Sequence, residues 1–176
     1  MLTGPIPSQV DPRKLADRGA VVEGSLPLAP MTRLTSALVD NVGEVQVRLV
    51  FDRDEQNFIV VQGHFTVQAK MHCQRCLEPV TLPVEADCHY AIVWSEEQGK
   101  ALPKDYDALE LGEEPLVLAE LVEDELILAL PIVPMHDSDK CQHPAGFATA
   151  PEPRENEVKR SNPFDVLAQL KRDPNA

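Results

Sequence analysis

Basic side chains are in short supply, with 16 Lys and Arg against 29 Asp and Glu in 176 residues, a formal net charge of -13. That balance excludes a basic nucleic-acid sheath. Glycine is scarce too, at 8 against 16 prolines, which points to many short elements with fixed corners. A bilayer span needs about 20 apolar residues. The longest uncharged apolar run, Leu126 to Met135, is too short and is broken by Pro131 and Pro134. The chain opens on Met1-Leu2-Thr3-Gly4-Pro5 without the basic and apolar regions of a secretory leader. The HExxH pattern, the Walker loop, the GxSxG elbow and the GxGxxG fingerprint are all missing, so nothing argues for an enzyme. What is present is an ordinary hydrophobic fraction, 43%, in a length at which a domain hides roughly 70% of its unfolded surface. A wholly disordered polyanion is thereby excluded. The expectation is a soluble cytoplasmic protein that needs neither a membrane nor a small-molecule substrate.

The charge is unevenly placed. Residues 1–77 hold eight basic and eight acidic side chains, whereas residues 85–125 hold thirteen acids against Lys100 and Lys104. The neutral first segment could present a local basic surface even in an acidic protein, because charges separate electrically beyond a Debye length of about 8 Å. The acidic stretch reads either as a solvated loop and helix face or as a docking surface for a basic partner.

Asp11-Pro12 supplies a cap and a first helical proline for a short helix that Gly19 stops. Residues 20–26 read as a strand and Thr32 to Asp40 as a second short helix. Val45, Val47, Leu49 and Phe51 alternate with polar residues, the period-two pattern of a half-buried strand. The alternation of Val61 to Met71 and that of Val80 to Trp94 predict a long antiparallel hairpin with Cys73 to Glu78 at its tip. A short strand at Ala108 to Leu111 follows in an acidic loop. Pro115 is placed to open a helix carrying Leu118, Leu121, Val122 and Leu126, with Glu120, Glu123 and Asp124 on its wet face and Pro131 as its stop. The fold class is α+β: a mainly antiparallel sheet or partly open barrel with a long hairpin, packed by one central acidic helix and short terminal helices. Residues 1–143 form one domain, 144–161 a flexible linker without periodicity, and 162–176 a terminal amphipathic segment expected to fold back through Phe164, Val166 and Leu167.

Four cysteines without a leader read as thiols or metal ligands. Cys73 and Cys76, three apart across a tight turn, can both face one tetrahedral ion and make half a site. The other Cys/His-dense segment, with His136, Cys141 and His143, lies just past the acidic helix. Structural zinc on Cys73, Cys76, Cys141 and His136 and free thiols in a hairpin tip are both open. A thioredoxin-like pair would sit at a helix N-terminus, whereas this one lies between two strands. If residues near 72 and 79 pair, Cys88 falls opposite about residue 63, some ten residues or about 33 Å down the ribbon, and reads as a core thiol. Lys70, His72 and Arg75 cluster at the tip, where they could meet phosphate or carboxylate or simply be solvated.

Three segments together resemble the bacterial YceD family, the large ribosomal RNA subunit accumulation proteins: Cys73-Gln-Arg-Cys-Leu-Glu-Pro79, Val122-Glu-Asp-Glu-Leu-Ile-Leu-Ala-Leu-Pro-Ile-Val-Pro-Met-His-Asp137 to Cys141, and Asn162-Pro-Phe-Asp-Val-Leu-Ala-Gln-Leu-Lys171. Asp11-Pro12-Arg13 and Ala101-Leu-Pro-Lys-Asp-Tyr106 look like its gamma- and beta-proteobacterial branch. The resemblance implies a non-enzymatic role in accumulation or processing of large-subunit ribosomal RNA and so in large-subunit assembly. The matching residues are Cys73, Arg75, Cys76, Glu123, Asp124, Glu125, Pro131, Asn162, Pro163 and Phe164. Combined with the charge split, it suggests an adaptor: the hairpin tip, with Lys70, His72 and Arg75, touches ribosomal RNA or its precursor particle. Glu123, Asp124, Glu125 and the Asn162-Pro163-Phe164 segment then serve a basic ribosomal protein or maturation factor. A protein-only interaction module is the alternative.

Overall fold

The computed structural model describes residues 2–3, 6–112, 114–137 and 141. The chain divides into a unit of residues 1–142 and a unit of residues 143–176. The linker and terminal segment expected at 144–161 and 162–176 lie outside the described residues.

The first unit opens with β1 (Leu2–Thr3), β2 (Gln9–Val10) and α1 (Pro12–Ala16). The Asp11 carboxylate accepts from the backbone N–H groups of Arg13 and Lys14, two of the donors that the first turn leaves without a partner. β3 (Val21–Pro27) follows, then α2 (Thr32–Thr35), shorter than its residues suggest. The reason lies outside the segment: the Val39 N–H bonds the Lys70 carbonyl at 2.7 Å, drawing the chain out of helical geometry.

β4 (Glu44–Arg53), β5 (Ile59–His72) and β6 (Pro79–Val93) continue the antiparallel run from β3. Their alternate side chains, among them Val45, Leu49, Phe51, Val61, Phe65 and Ala69, are fully buried. The β5–β6 register pairs His72 with Pro79 and Gly63 with Cys88, as the turn position predicts. At Gly63 a Cβ would come within 2.6 Å of both the Cys88 sulfur and the Phe65 ring, so only glycine lets the two strands close there. On the wet face Glu23, Arg48, His64 and Asp87 form one row across four strands, with an ion pair from Arg48 to Glu23 and a hydrogen bond between His64 Nδ1 and the Asp87 carboxylate.

α3 (Glu96–Lys100), capped by the Ser95 hydroxyl, leads to β7 (Asp107–Glu110). β7 runs parallel to β6 but covers only Tyr90 to Val93, so most of that side of β6, with Pro79 and Pro83, has no strand beside it among the described residues. β1 adds in parallel to β3 at the other margin. The six strands run β1-β3-β4-β5-β6-β7 and the outer two do not meet, which makes an open mixed sheet rather than a closed barrel. The fold is α+β, as its sequence pattern indicates.

β8 (Leu116–Val117) and α4 (Leu118–Ala129) correct the expectation that Pro115 opens the helix. Leu116 and Val117 are extended because they pair with β2, and the Ser8 carbonyl accepts the Leu118 N–H at the start of the helix. Leu118, Val122 and Leu126 close the core over the inner face of the sheet. The residue before Pro131, Leu130, is extended (ψ 135), as clash with a following proline ring requires, and the helix ends there. No helix among the described residues is long and apolar enough to cross a membrane.

Candidate metal centre

Beyond residue 66 the β5–β6 hairpin runs past β4, and its tip is a small structure of its own. Cys73 donates its N–H to the Glu78 carbonyl and accepts at its own carbonyl from Leu77, both at 2.9 Å. The tight turn puts Leu77 in the left-handed region (φ 65), a conformation that disfavours a branched side chain by about 1–2 kcal/mol. Cys73 and Cys76 point inward and with Val80 form a second buried cluster, separate from the main core.

The chain that leaves α4 crosses this tip. Gln74 donates its N–H to the Pro134 carbonyl at 2.8 Å, the Arg75 guanidinium lies 3.8 Å from the Met135 sulfur, and His136 Nδ1 is 3.4 Å from the Cys76 sulfur. His136 Nε2 lies 3.1 Å from the Pro79 carbonyl, an acceptor only, so Nε2 is the protonated nitrogen and Nδ1 carries the free lone pair. Cys141 Sγ comes 3.8 Å from Cys73 Sγ. The ligand atoms of Cys73, Cys76, His136 and Cys141 all lie within 4.8 Å of one another, a set that could hold a metal ion.

Two of the separations can be compared with those of a tetrahedral site. Zinc bonds of about 2.3 Å to sulfur and about 2.0–2.1 Å to nitrogen give tetrahedral edges of about 3.8 Å between two sulfurs and about 3.5 Å between sulfur and nitrogen. The Cys73–Cys141 separation of 3.8 Å and the Cys76–His136 separation of 3.4 Å fall at those edges, and the others lie within 4.8 Å. The Pro79 carbonyl behind His136 is the outer-shell acceptor that zinc-ligating imidazoles usually have. Burial pushes the Cys73 thiol up, but the backbone N–H groups of Cys76, His136 and Arg75 outweigh it and bring it down to about 5. Cys141 is pushed up to about 11 by burial and by the neighbouring Cys76 and Cys73 sulfurs. Negative charge thus collects on one sulfur and repels its formation on the next, a conflict that a divalent cation removes.

The remaining residues singled out by the sequence fall in several places. Lys70 is ion-paired with Asp40 at 2.9 Å, and His72 Nδ1 lies 3.2 Å from the Leu77 carbonyl. Arg75 has no carboxylate partner among the described residues and is the one cation the tip leaves exposed. Glu123 was expected on the wet face of α4 and is instead 7% exposed. Its carboxylate accepts from the backbone N–H groups of Arg33 and Leu34 and from the Arg33 side chain, so it caps the start of α2 from another helix. Burial works against that charge, yet these hydrogen bonds prevail and hold the Glu123 carboxyl below its ordinary value. Asp124 also pairs with Arg33, and Glu125 accepts the Tyr90 hydroxyl. All three carboxylates thus have internal partners. Asn162, Pro163, Phe164 and His143 lie outside the described residues.

Cys88 is not part of the cluster. It sits against Gly63 on the inner face, where burial and then Glu125 push its thiol up to about 12. Arg33 escapes sequence reading altogether, because its partners stand ninety residues away and its own surroundings, Thr32 and Leu34, carry no motif.

Comparison with known proteins bears on the whole chain. The profile of a family described as Large ribosomal RNA subunit accumulation protein YceD matches residues 61–171, the stretch that holds the hairpin, α4 and the clamp. A protein of Haemophilus influenzae (strain ATCC 51907 / DSM 11121 / KW20 / Rd), named Large ribosomal RNA subunit accumulation protein YceD, is 38% identical over 170 residues, which cover 94% of this chain and 96% of the relative. No solved structure matches.

Proposed function

From the premise that the chain belongs to the YceD family of large ribosomal RNA subunit accumulation proteins, we propose that it is a non-enzymatic, cytoplasmic factor supporting accumulation of large-subunit ribosomal RNA during large-subunit assembly. It works as an adaptor, with a zinc-clamped hairpin tip that touches RNA through Arg75 and an acidic body that takes a basic protein partner. The observation that carries this reading is the convergence of Cys73, Cys76, His136 and Cys141 at the tip. Zinc on Cys73, Cys76, His136 and Cys141 is a closed four-ligand set of the structural kind, with no open position for a substrate. Such a set fixes the chain after α4 to the tip and holds Arg75 and Met135 together at the exposed end of the hairpin.

Electrostatics limits how the adaptor grips RNA. Lys14, Arg33, Arg48, Arg53, Lys70 and Lys100 are each ion-paired with a carboxylate. Among the described residues that leaves Arg13, Arg18, Arg75 and Lys104 without a carboxylate partner, and only Arg75 lies at the tip. Affinity carried by the tip should therefore fall shallowly with salt, where a protein with 6–10 phosphate contacts loses about 10³–10⁵ between 50 and 200 mM. The same pairing favours a second reading, in which the molecule is a protein-only module and never contacts RNA.

Density-gradient sedimentation of the tagged full-length protein from lysate, at low and moderate salt with the RNA of each fraction identified, tests the proposal. Co-migration with immature large-subunit particles at both salts is the expected result. Arg75→Glu should release the protein from the particle in the adaptor reading and leave it bound in the protein-only one. A wild-type protein that stays at the top of the gradient at both salts overturns stable action on the particle.

A further inference from the structure

We propose that Cys141 is an oxidative modification site, at which a hydroperoxide converts the metal clamp into a Cys73–Cys141 disulfide. This rests on the four-ligand metal reading above and concerns the regulation of that same site.

Accessibility singles out one of the three sulfurs. Cys73 is 0% and Cys76 7% exposed, whereas Cys141 is only partly buried. An oxidant arriving from solvent therefore meets Cys141 first. Its nearest thiol partner is already in position: the Cys73 sulfur stands 3.8 Å away, so a bond of about 2.05 Å needs the two atoms to close by less than about 2 Å. The pair also joins the same two segments, 68 residues apart in sequence, that the clamp joins, so the covalent link replaces the metal link without opening the tip.

The chemistry balances with one peroxide. The Cys141 sulfur, a thiolate while it serves as a ligand, takes one oxygen of hydrogen peroxide; the S–O bond forms, the O–O bond breaks, and hydroxide leaves. The Cys73 thiolate then attacks the sulfenic sulfur; the S–S bond forms and the S–O bond breaks, releasing a second hydroxide. Two thiolates have given two electrons to the peroxide, and two protons from the buffer turn the hydroxides into water. Cys76 and His136 remain as two ligands, too few for a structural zinc site. Cys88 provides an internal control, since its thiol lies against Gly63 on the inner face, outside the cluster.

The test uses the full chain purified under reducing conditions, with its metal content measured by inductively coupled plasma mass spectrometry before hydrogen peroxide is titrated in. The expected course is about one zinc per chain at the outset, released in step with a mass loss of about 2 Da and with a Cys73–Cys141 cross-linked peptide on mapping. Dithiothreitol with added zinc should restore the starting state, Cys88→Ser should leave the release rate unchanged, and Cys141→Ser, which lacks one ligand, should show no 2 Da mass loss at the peroxide dose that converts the wild type. Loaded protein that instead gives a Cys73–Cys76 disulfide, or sulfinic acid without any cross-link, overturns the proposal and leaves the metal reading standing. Protein that carries no metal and takes up none from added zinc ends the metal reading itself, and the conversion with it.

Discussion

At the foot of the β5–β6 hairpin Cys88 faces Gly63, packed close to Phe65 and Leu49, while at the tip of the same ribbon Cys73 and Cys76 face a segment that arrives from beyond α4. The two ends share strands and register yet differ in what holds them. The foot is held by alternating side chains closing a large core, and its thiol is pushed up to about 12 by burial and nearby carboxylates. Among the described residues the tip has Val80, with Leu82 beside it, to pack on its cysteines, and its Cys73 thiol is brought down to about 5 by converging backbone N–H groups. A regular ribbon can therefore contain one region packed into a large core and another with little packing, where the proposed metal would serve as the fastening.

The sharpest way to break that contrast is to empty the foot. Phe65→Ala, at a fully buried ring, should cost about 3–5 kcal/mol in urea unfolding, and by the same amount with and without chelator. Equal sensitivity to chelator at foot and tip would erase the distinction. Metal removal should act in the opposite place: a zinc chelator should speed hydrogen exchange at Gln74 and Leu77 by roughly 100-fold, about 2.7 kcal/mol, and leave Val61 to Val67 protected. Gly63→Ala probes how tightly the foot is packed. It should cost about 1–3 kcal/mol through the clash with Cys88, and Cys88→Ala should recover part of that loss in a double-mutant cycle.

The smallest effect belongs to a third fastening, between α4 and α2. Because the folded Glu123 carboxyl titrates below its ordinary value near 4.5, its contribution is fully present above that pH and is lost as pH falls through the lowered folded value. Glu123→Gln should therefore lower stability by about 1 kcal/mol at pH 7 and flatten the acid limb of the stability profile, the modest size reflecting the half-exposed Arg33 partner.

Legibility in the sequence follows the same division. Period-two alternation and a tight turn were enough to place Gly63 opposite Cys88, because in an antiparallel hairpin one pairing dictates all the others. The cysteine and histidine set could be assembled as a list, since Cys73 to Cys76 and His136 to His143 are the two segments dense in those residues. Its geometry could not, because nothing local tells the chain after Pro131 to cross the tip. β1 and β8 are two residues each, below any periodic signal, and exist through pairing with distant partners. Glu123 was misplaced for a related reason: a carboxylate beside Val122 looks solvated until the α2 N-terminus that it caps is brought against it.

The clamp also sets a schedule for the growing chain. Its last ligand is made 68 residues after its first, so at about 5–20 residues per second the tip thiols wait roughly 3–14 s for Cys141. The strands around them can pair during that interval, but the loop between the two segments stays open until the closing sulfur arrives. A link closed across that span removes freedom from the unfolded chain worth about 4 kcal/mol in the chain-entropy account. In the proposed clamp, the closing of the tip is therefore timed by the ribosome that synthesises the chain.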